Sequence, residues 1–450
     1  MGFLMVAAGL CPLELSAQTP TPAVSPDPVV DVPLTSFDPS MLFYDYSWRS
    51  FIALNWPAMS GAANRGQPDR TRTFADVAGP RVWGTWKSRY KIFQPGGVDP
   101  ANWDSFDGKN PCGDGVTNET TTLSSFSPFA DFNQADFGFT LASPLVSQNG
   151  TYLRFEVRVN KEEFETIKDN KWYIHANLPT HDNPSSFKDG SIEIKAAWRI
   201  VAQNETSEST SRYYTIDDAQ VFDPAQAKCV KQKIALIGFH IVAKTPARPE
   251  WIWSSFEHVD NVPPRTTEPT PPVSVPFSLN NPEAEQKTAD PRPPVSAANP
   301  PVDATPMQVV RERDIRPEVM EVNKSYWATD GIKGTVWQNY MLVATQWPAA
   351  PTADVLTDLG GPQPNVGIRA NTTMETFFQK SGCMGCHLDA AFEGRDFVMF
   401  PTFDAFRPDI VGPANAFTQR SENAKTNTEV LAADPVIKRL INSMKSPPDE

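Results

Sequence analysis

Apolar and polar positions alternate with a period of two over four stretches of the chain: Tyr152–Val159, Ser191–Trp198, Ile234–Val242 and Trp251–Phe256. Such alternation marks strands with one buried face, and Asn-Gly or Pro-containing turns separate several of them. The stretch predicts an antiparallel sheet or sandwich. Upstream the period changes: in YDYSWRSFIALNWP, Trp48, Phe51, Ile52 and Asn55 recur at helical spacing, and Pro57 ends the run. Downstream it turns helical again. Trp337, Tyr340, Met341 and Ala344 in TVWQNYMLVATQWP share one face of a helix that Pro348 would stop. A second helix opens at Thr372, where Thr372-Thr-Met-Glu375 has capping-box spacing, and runs through Phe377 and Phe378. A last one opens at Asp434-Pro435 and buries Val436, Leu440 and Met444.

The fold class that follows is α+β: an antiparallel β-rich N-terminal and middle region, then a mainly helical C-terminal region. Between them, residues 263–306 carry 13 prolines in 44 residues, too many for a central strand or helix. That stretch reads as a linker or long loop. Residues 18–39 are also Pro-rich and read as an extended tether. Residues 1–17, with an apolar run from Phe3 to Leu10 and Ser16-Ala17 at the end, read as a secretory signal peptide. The resulting division is signal 1–17, tether 18–39, β-rich domain 40–262, linker 263–306 and helical domain 307–450. No other apolar run approaches the ~18 residues of a membrane span, so none is expected in the mature chain.

Composition narrows the function. The 450 residues carry 40 basic and 53 acidic side chains, a net charge of -13, and the basic ones are scattered. Nucleic acid and anionic membrane surfaces are therefore excluded as partners.

The chemistry sits in Cys383-Met-Gly-Cys386-His387, a CxxCH sequence. Two thiols three positions apart reach both vinyl groups of one porphyrin, and the adjacent imidazole then lies beneath the iron. At this Cys and His frequency a chance CxxCH has an expectation of about 6 in 10,000. A structural zinc site would need further ligands at finger-like spacing, and a redox dithiol a surrounding βαβ pattern. Neither is present in the sequence.

The run Phe378-Gln-Lys-Ser-Gly-Cys-Met-Gly-Cys-His387 resembles the haem-attachment helix of class I cytochromes c, over about 20 residues. In that family an aromatic residue about five before the first cysteine packs on the haem, the place Phe378 takes here. Through WRSFIALNWP, EIKAAWRI, LIGFHIVAKT with WIWSSFEHVDN, and NYMLVATQWP, the whole chain resembles a group of long bacterial cytochrome c family proteins. The resemblance implies one covalent haem c and export, to the periplasm or beyond.

The sixth ligand of the iron stays open, and it separates electron transfer from chemistry at iron. Met399, in Met-Phe-Pro401, and Met444 are candidates, though a packing residue is the plainer reading of each. His240 and His258, on successive expected strands, are the imidazole candidates for ligation or for acid and base work; a satisfied core histidine is the plainer reading of each. Cys112 and Cys229 remain once the signal and haem cysteines are set aside, and an even remainder predicts a disulfide, with two buried thiols as the alternative.

Three functions fit: a monohaem c-type cytochrome passing single electrons to a redox partner protein or small-molecule substrate docked by the β-rich region; a haem enzyme of peroxidase or oxidase type with an open distal site; or a haem sensor or structural module. A plain class I carrier needs only about 100 residues, so the β-rich surplus must bind something or enclose the haem.

Overall fold

The computed structural model describes residues 20–32, 40–106, 112, 122–123, 145–223, 228–265, 273, 276–283, 306–348, 370–376, 379, 382–408, 434–436 and 438. The signal peptide 1–17, Phe377, Phe378 and Met444 lie outside them. Described helices are α1 (Ser40–Leu54), α2 (Arg89–Ile92), α3 (Lys161–Asp169), α4 (Ser207–Thr210), α5 (Pro317–Trp327), α6 (Cys383–Phe392) and α7 (Phe400–Asp404). The strands are β1 (Lys87–Ser88), β2 (Thr122–Leu123), β3 (Arg154–Val159), β4 (Ile192–Ile200), β5 (Thr215–Asp223), β6 (Lys228–Thr245), β7 (Arg248–His258) and β8 (Tyr340–Gln346).

All eight strands form one sheet, antiparallel except where β2 pairs parallel with β5. β6 is its spine. Its 18 residues pair with β4 along one edge and with β5, then β7, along the other, and β8 extends the sheet beyond β7. The four stretches of alternation all lie in strands, and the α+β class with its antiparallel middle holds. β5 and the nine-residue α3 inside the β-rich stretch were not expected.

The helix expected at 335–348 is instead a 3-10 turn over Val336–Asn339 followed by β8. Every residue of β8 is buried, so the run has no solvent-facing side, and a short, mainly apolar run of that kind fits either periodicity. Consequently residues 307–348 complete the sheet of the preceding region rather than starting a helical unit. The Pro-rich stretch is woven in as well: Phe277 and Leu279 are buried, Ser278 and Leu279 N–H donate to Asp260 and Asn261 carbonyls at 2.8 and 2.9 Å, and Val309 N–H donates to Leu279 at 2.8 Å. The N-terminal stretch is held too, with Val32 buried and Asp31 accepting from Ala247 N–H at 3.0 Å.

One sheet face packs on α1 and α5. Trp48 stacks on Tyr326 and meets Phe256 edge-on, Phe51 stacks on Phe256, and Ile194, Ala196, Trp198, Phe239, Ile241, Ile252 and Leu342 fill the layer. The opposite face carries two apolar patches. Val157, Val159, Val242, Trp251 and Trp253 pack with Met384, Ala391 and Phe397 at one end, and Phe155, Ala197, Ala235 and Ile237 with Leu145 and Leu279 at the other. Cys112 and Cys229 stand at disulfide distance, their Cα atoms 5.2 Å apart and 117 positions apart in sequence.

Candidate haem site

The CxxCH motif begins α6, with Gly382 as its N-terminal flank. The helix start lies close to β8: a Cβ on Gly382 would come 2.6 Å from Gln346 Nε2, so a larger residue there would push that amide aside. Gln346 Oε1 in turn accepts from Met384 N–H at 3.3 Å. The start of the helix is thereby fastened to the second sheet face. Along this helix Cys383, Cys386 and His387 are all partly buried, and neither thiol belongs to a disulfide.

The helix ends in a turn that fixes the imidazole. Gly394 has φ +79° and lies against Thr180, whose carbonyl would clash with any Cβ, while Asp396 and Phe397 take left-handed φ values of 48° and 65°. Non-glycine residues hold such values only where the surroundings over-determine them. Here Asp396 does the holding: it accepts from Ser186 Oγ and Phe187 N–H, both at 2.8 Å, and pairs with Lys244 at 3.1 Å. The turn aims the Phe397 carbonyl at His387, whose Nδ1–H donates to it at 2.7 Å. His387 Nε2 carries no hydrogen bond, and its ring lies against Trp253, centroids 4.5 Å apart. Burial, opposed by the Phe397 bond and assisted by Lys195, lowers its pKa to about 4, so the ring is neutral at pH 7. A neutral imidazole with Nδ1–H tied to a backbone carbonyl has its Nε2 lone pair set for a metal.

Facing α6 on the sheet is a polar row. Register pairs Lys195 with His240 and His240 with Ser255, so their side chains share one face. The turn Asn371–Thr373 lies over Gly238, where a Cβ would collide with Thr373 Oγ1. Asn371 Nδ2 donates to Ser255 Oγ and the Phe256 carbonyl at 3.2 and 2.7 Å, and Thr372 N–H and Oγ1 both donate to Glu257 Oε2 at 2.9 Å. Arg311 closes the same carboxylate from the other side. This anchoring puts Glu375 Oε2 3.7 Å from His240 Nε2.

The expected capping box is displaced by one residue. Asn371 Oδ1, not Thr372, accepts from Thr373 N–H at 2.9 Å, and Glu375 reaches back to Asn371 N–H at 2.8 Å, giving one capped turn within the described residues.

Burial dominates the titration of this row. It raises Glu193 and Glu375 to about 7 and lowers Lys195 to about 8; it also lowers His240 to about 3, with Lys195 and His387 adding to the shift. His240 is only 9% exposed, and its Nε2 has no hydrogen-bond partner. The buried Gln346 Nε2 is likewise unbonded. Orphaned polar atoms clustered beside a CxxCH helix fit a site shaped for a cofactor. Among the described residues no group of three or more His, Cys, Asp or Glu side chains is arranged to hold a bare metal ion; a haem needs none, because its porphyrin supplies the equatorial ligands.

The other candidates are placed elsewhere. His258 stacks on Tyr213 at 3.8 Å, donates from Nε2 to the Arg212 carbonyl at 3.1 Å and accepts at Nδ1 from Asp260 N–H at 3.1 Å. Both its nitrogens are committed. Met399 packs in a small apolar cluster with Ala390, Phe403 and Val436. Phe378 and Met444 fall outside the described residues. Sequence reasoning passed over Phe397, Glu375, Lys195, Glu193 and Gln346. The only cue to Phe397 was Gly394, a helix-ending glycine; Glu193 and Lys195 stood in an expected strand, Gln346 in an expected helix, and Glu375 was read as part of a helix cap.

No protein-family model, curated protein or solved structure matches the chain. Among the described residues no helix is long and apolar enough to cross a membrane.

Proposed function

We propose that this chain is a monohaem c-type cytochrome that carries haem c on thioethers from Cys383 and Cys386, with His387 as proximal ligand, and exchanges single electrons with a redox partner protein or small-molecule substrate. The observation that carries the reading is the state of His387: on the same helix as both thiols, neutral, held through Nδ1 by the Phe397 carbonyl and bare at Nε2. The bound haem would supply the one-electron couple of its iron. The protein's part is to orient His387 through the Asp396 turn, to hold the thiols on the first turn of α6, and to wall the site with Trp253 and the apolar patch around it. We assign the chain to the periplasm or another oxidising compartment, with which the Cys112 and Cys229 pair is compatible.

The test is covalency. Protein expressed with a c-type maturation system keeps its haem colour on a denaturing gel, and a Cys383→Ala, Cys386→Ala double variant loses it. Colour that separates from the wild-type chain on denaturation refutes the reading.

One observation favours a second reading, a haem oxidoreductase of peroxidase or oxidase type: the carboxylate of Glu375 beside His240 is the arrangement of an acid and base pair. Rapid reaction of the ferric protein with peroxide, lost in Glu375→Gln, would establish it.

A further inference from the structure

We propose that His240 on β6 is the second axial ligand of the haem iron, opposite His387. The inference rests on the haem reading above and deepens it. It starts from a census of all five histidines. His175 bonds Asp434 at 2.8 Å, His181 bonds the Phe392 carbonyl at 2.9 Å, His258 uses both ring nitrogens, and His387 uses Nδ1. His240 alone uses neither. Its buried Nε2, 3.7 Å from the Glu375 carboxylate, makes no hydrogen bond, and a ring nitrogen left so is rare because its desolvation goes uncompensated. Here the orphan stands on the sheet face that packs against the CxxCH helix, two positions along β6 from Val242, which with its cross-strand partner Trp253 shares an apolar patch with Met384 of that helix.

Its surroundings suit ligation. Strand β6 is the rigid centre of the sheet, hydrogen-bonded on both edges at His240, so the ring is positioned by backbone rather than by a loop. Gln346 carries no good donor atom for iron. Met399 is packed among Ala390, Phe403 and Val436, and His258 would have to break two hydrogen bonds. Lys195, the cross-strand neighbour of His240, enters the test as the competing nitrogen ligand.

Spectroscopy of the full-length, haem-loaded protein decides. Wild type is expected to be low-spin in both oxidation states, to show two-imidazole electron paramagnetic resonance, to lack the near-infrared methionine-to-iron band, and to bind CO only slowly. His240→Ala should become high-spin and bind CO at once, and added imidazole should restore the low-spin spectrum. His240→Met should stay low-spin, gain the methionine band and rise in reduction potential. A high-spin wild type, a methionine band in wild type, an unchanged His240→Ala spectrum, or loss of the low-spin state in Lys195→Met rather than His240→Ala each overturns the proposal. If His240→Ala fails to fold, His240→Met carries the test: no methionine band and no change in potential overturns it. Absence of covalent haem in wild type defeats the underlying reading instead, so the two failures are distinct.

Discussion

Against α1 and α5 the sheet joins Ser47, Ser254, Thr345 and Asn323 in closed hydrogen-bonded networks, whereas on the face toward α6 several buried polar atoms stand single. On the first face Ser47 Oγ bonds Ser254 Oγ at 2.8 Å, Thr345 Oγ1 at 2.6 Å and the Phe43 carbonyl at 2.9 Å. Asn323 accepts from Trp48 Nε1 and Leu342 N–H at 2.8 and 2.9 Å and donates to the Leu342 carbonyl at 2.9 Å. Tyr340 OH donates to the Leu236 carbonyl and accepts from Tyr214 N–H. On the second face Gln346 Nε2, His240 Nε2 and both oxygens of the buried Glu163 have no partner. The closed networks stabilise the first face, whereas the orphans on the second are a cost in stability that the proposed site would explain.

The largest expected effect tests the stable side. Trp48 is fully buried, stacked on Tyr326 and bonded to Asn323, so Trp48→Ala should destabilise by about 3–5 kcal/mol in urea unfolding. Asn323→Ala comes next, at about 2 kcal/mol, because it strands Trp48 Nε1 and the Leu342 backbone in an apolar layer. A loss below about 0.5 kcal/mol in either variant would mean that this face does not hold the fold together.

How much of this contrast could be read in the sequence depends on period. Strands β3, β4, β6 and β7 announce themselves because each alternates, and α1 because Trp48, Phe51 and Ile52 recur at helical spacing. β8 is buried on both faces, and Tyr340, Met341 and Ala344 imitate a helix stripe. Of the candidate site, the thiols and His387 are marked by local spacing alone. The Phe397 carbonyl, Glu375 and the row Lys195, His240 and Ser255 come together through strand register and a backbone turn, which no local pattern encodes.

The second face should also show in pH dependence. Burial raises Glu163 well above its ordinary value of 4.5 and Glu193 to about 7. Between pH 4.5 and these folded values the native state holds protons that the unfolded chain has released, so stability falls as pH rises. Their contribution is complete below the unfolded value and gone, for Glu193, above about 7. His240 and His387, lowered to about 3 and about 4, act the other way, because below pH 6.5 the unfolded chain binds protons that they do not, so the readout is a difference between proteins: relative to wild type, Glu163→Gln should gain stability between pH 5 and 8 in urea unfolding. A Glu163→Gln profile that runs parallel to wild type from pH 5 to 8 would show the Glu163 carboxyl to be ionised in the fold.

The smallest effect is the sharpest comparison, because it uses two consecutive residues of one strand. Thr345 and Gln346 are both buried on β8 and point to opposite faces. Thr345→Val removes the 2.6 Å bond to Ser47, which keeps Ser254 and the Phe43 carbonyl as partners; the expected cost is about 1 kcal/mol. Gln346→Leu gives up only the 3.3 Å bond from Met384 N–H and removes an orphaned amide nitrogen, so gain and loss should cancel to within about 0.5 kcal/mol. The same substitution puts branched carbon where Gly382 lets α6 approach, so its effect should appear at the haem bands rather than in unfolding. If Gln346→Leu costs more stability than Thr345→Val and leaves the spectrum untouched, the amide belongs to the scaffold, and the division of labour between the faces fails at the residue where they are most directly compared.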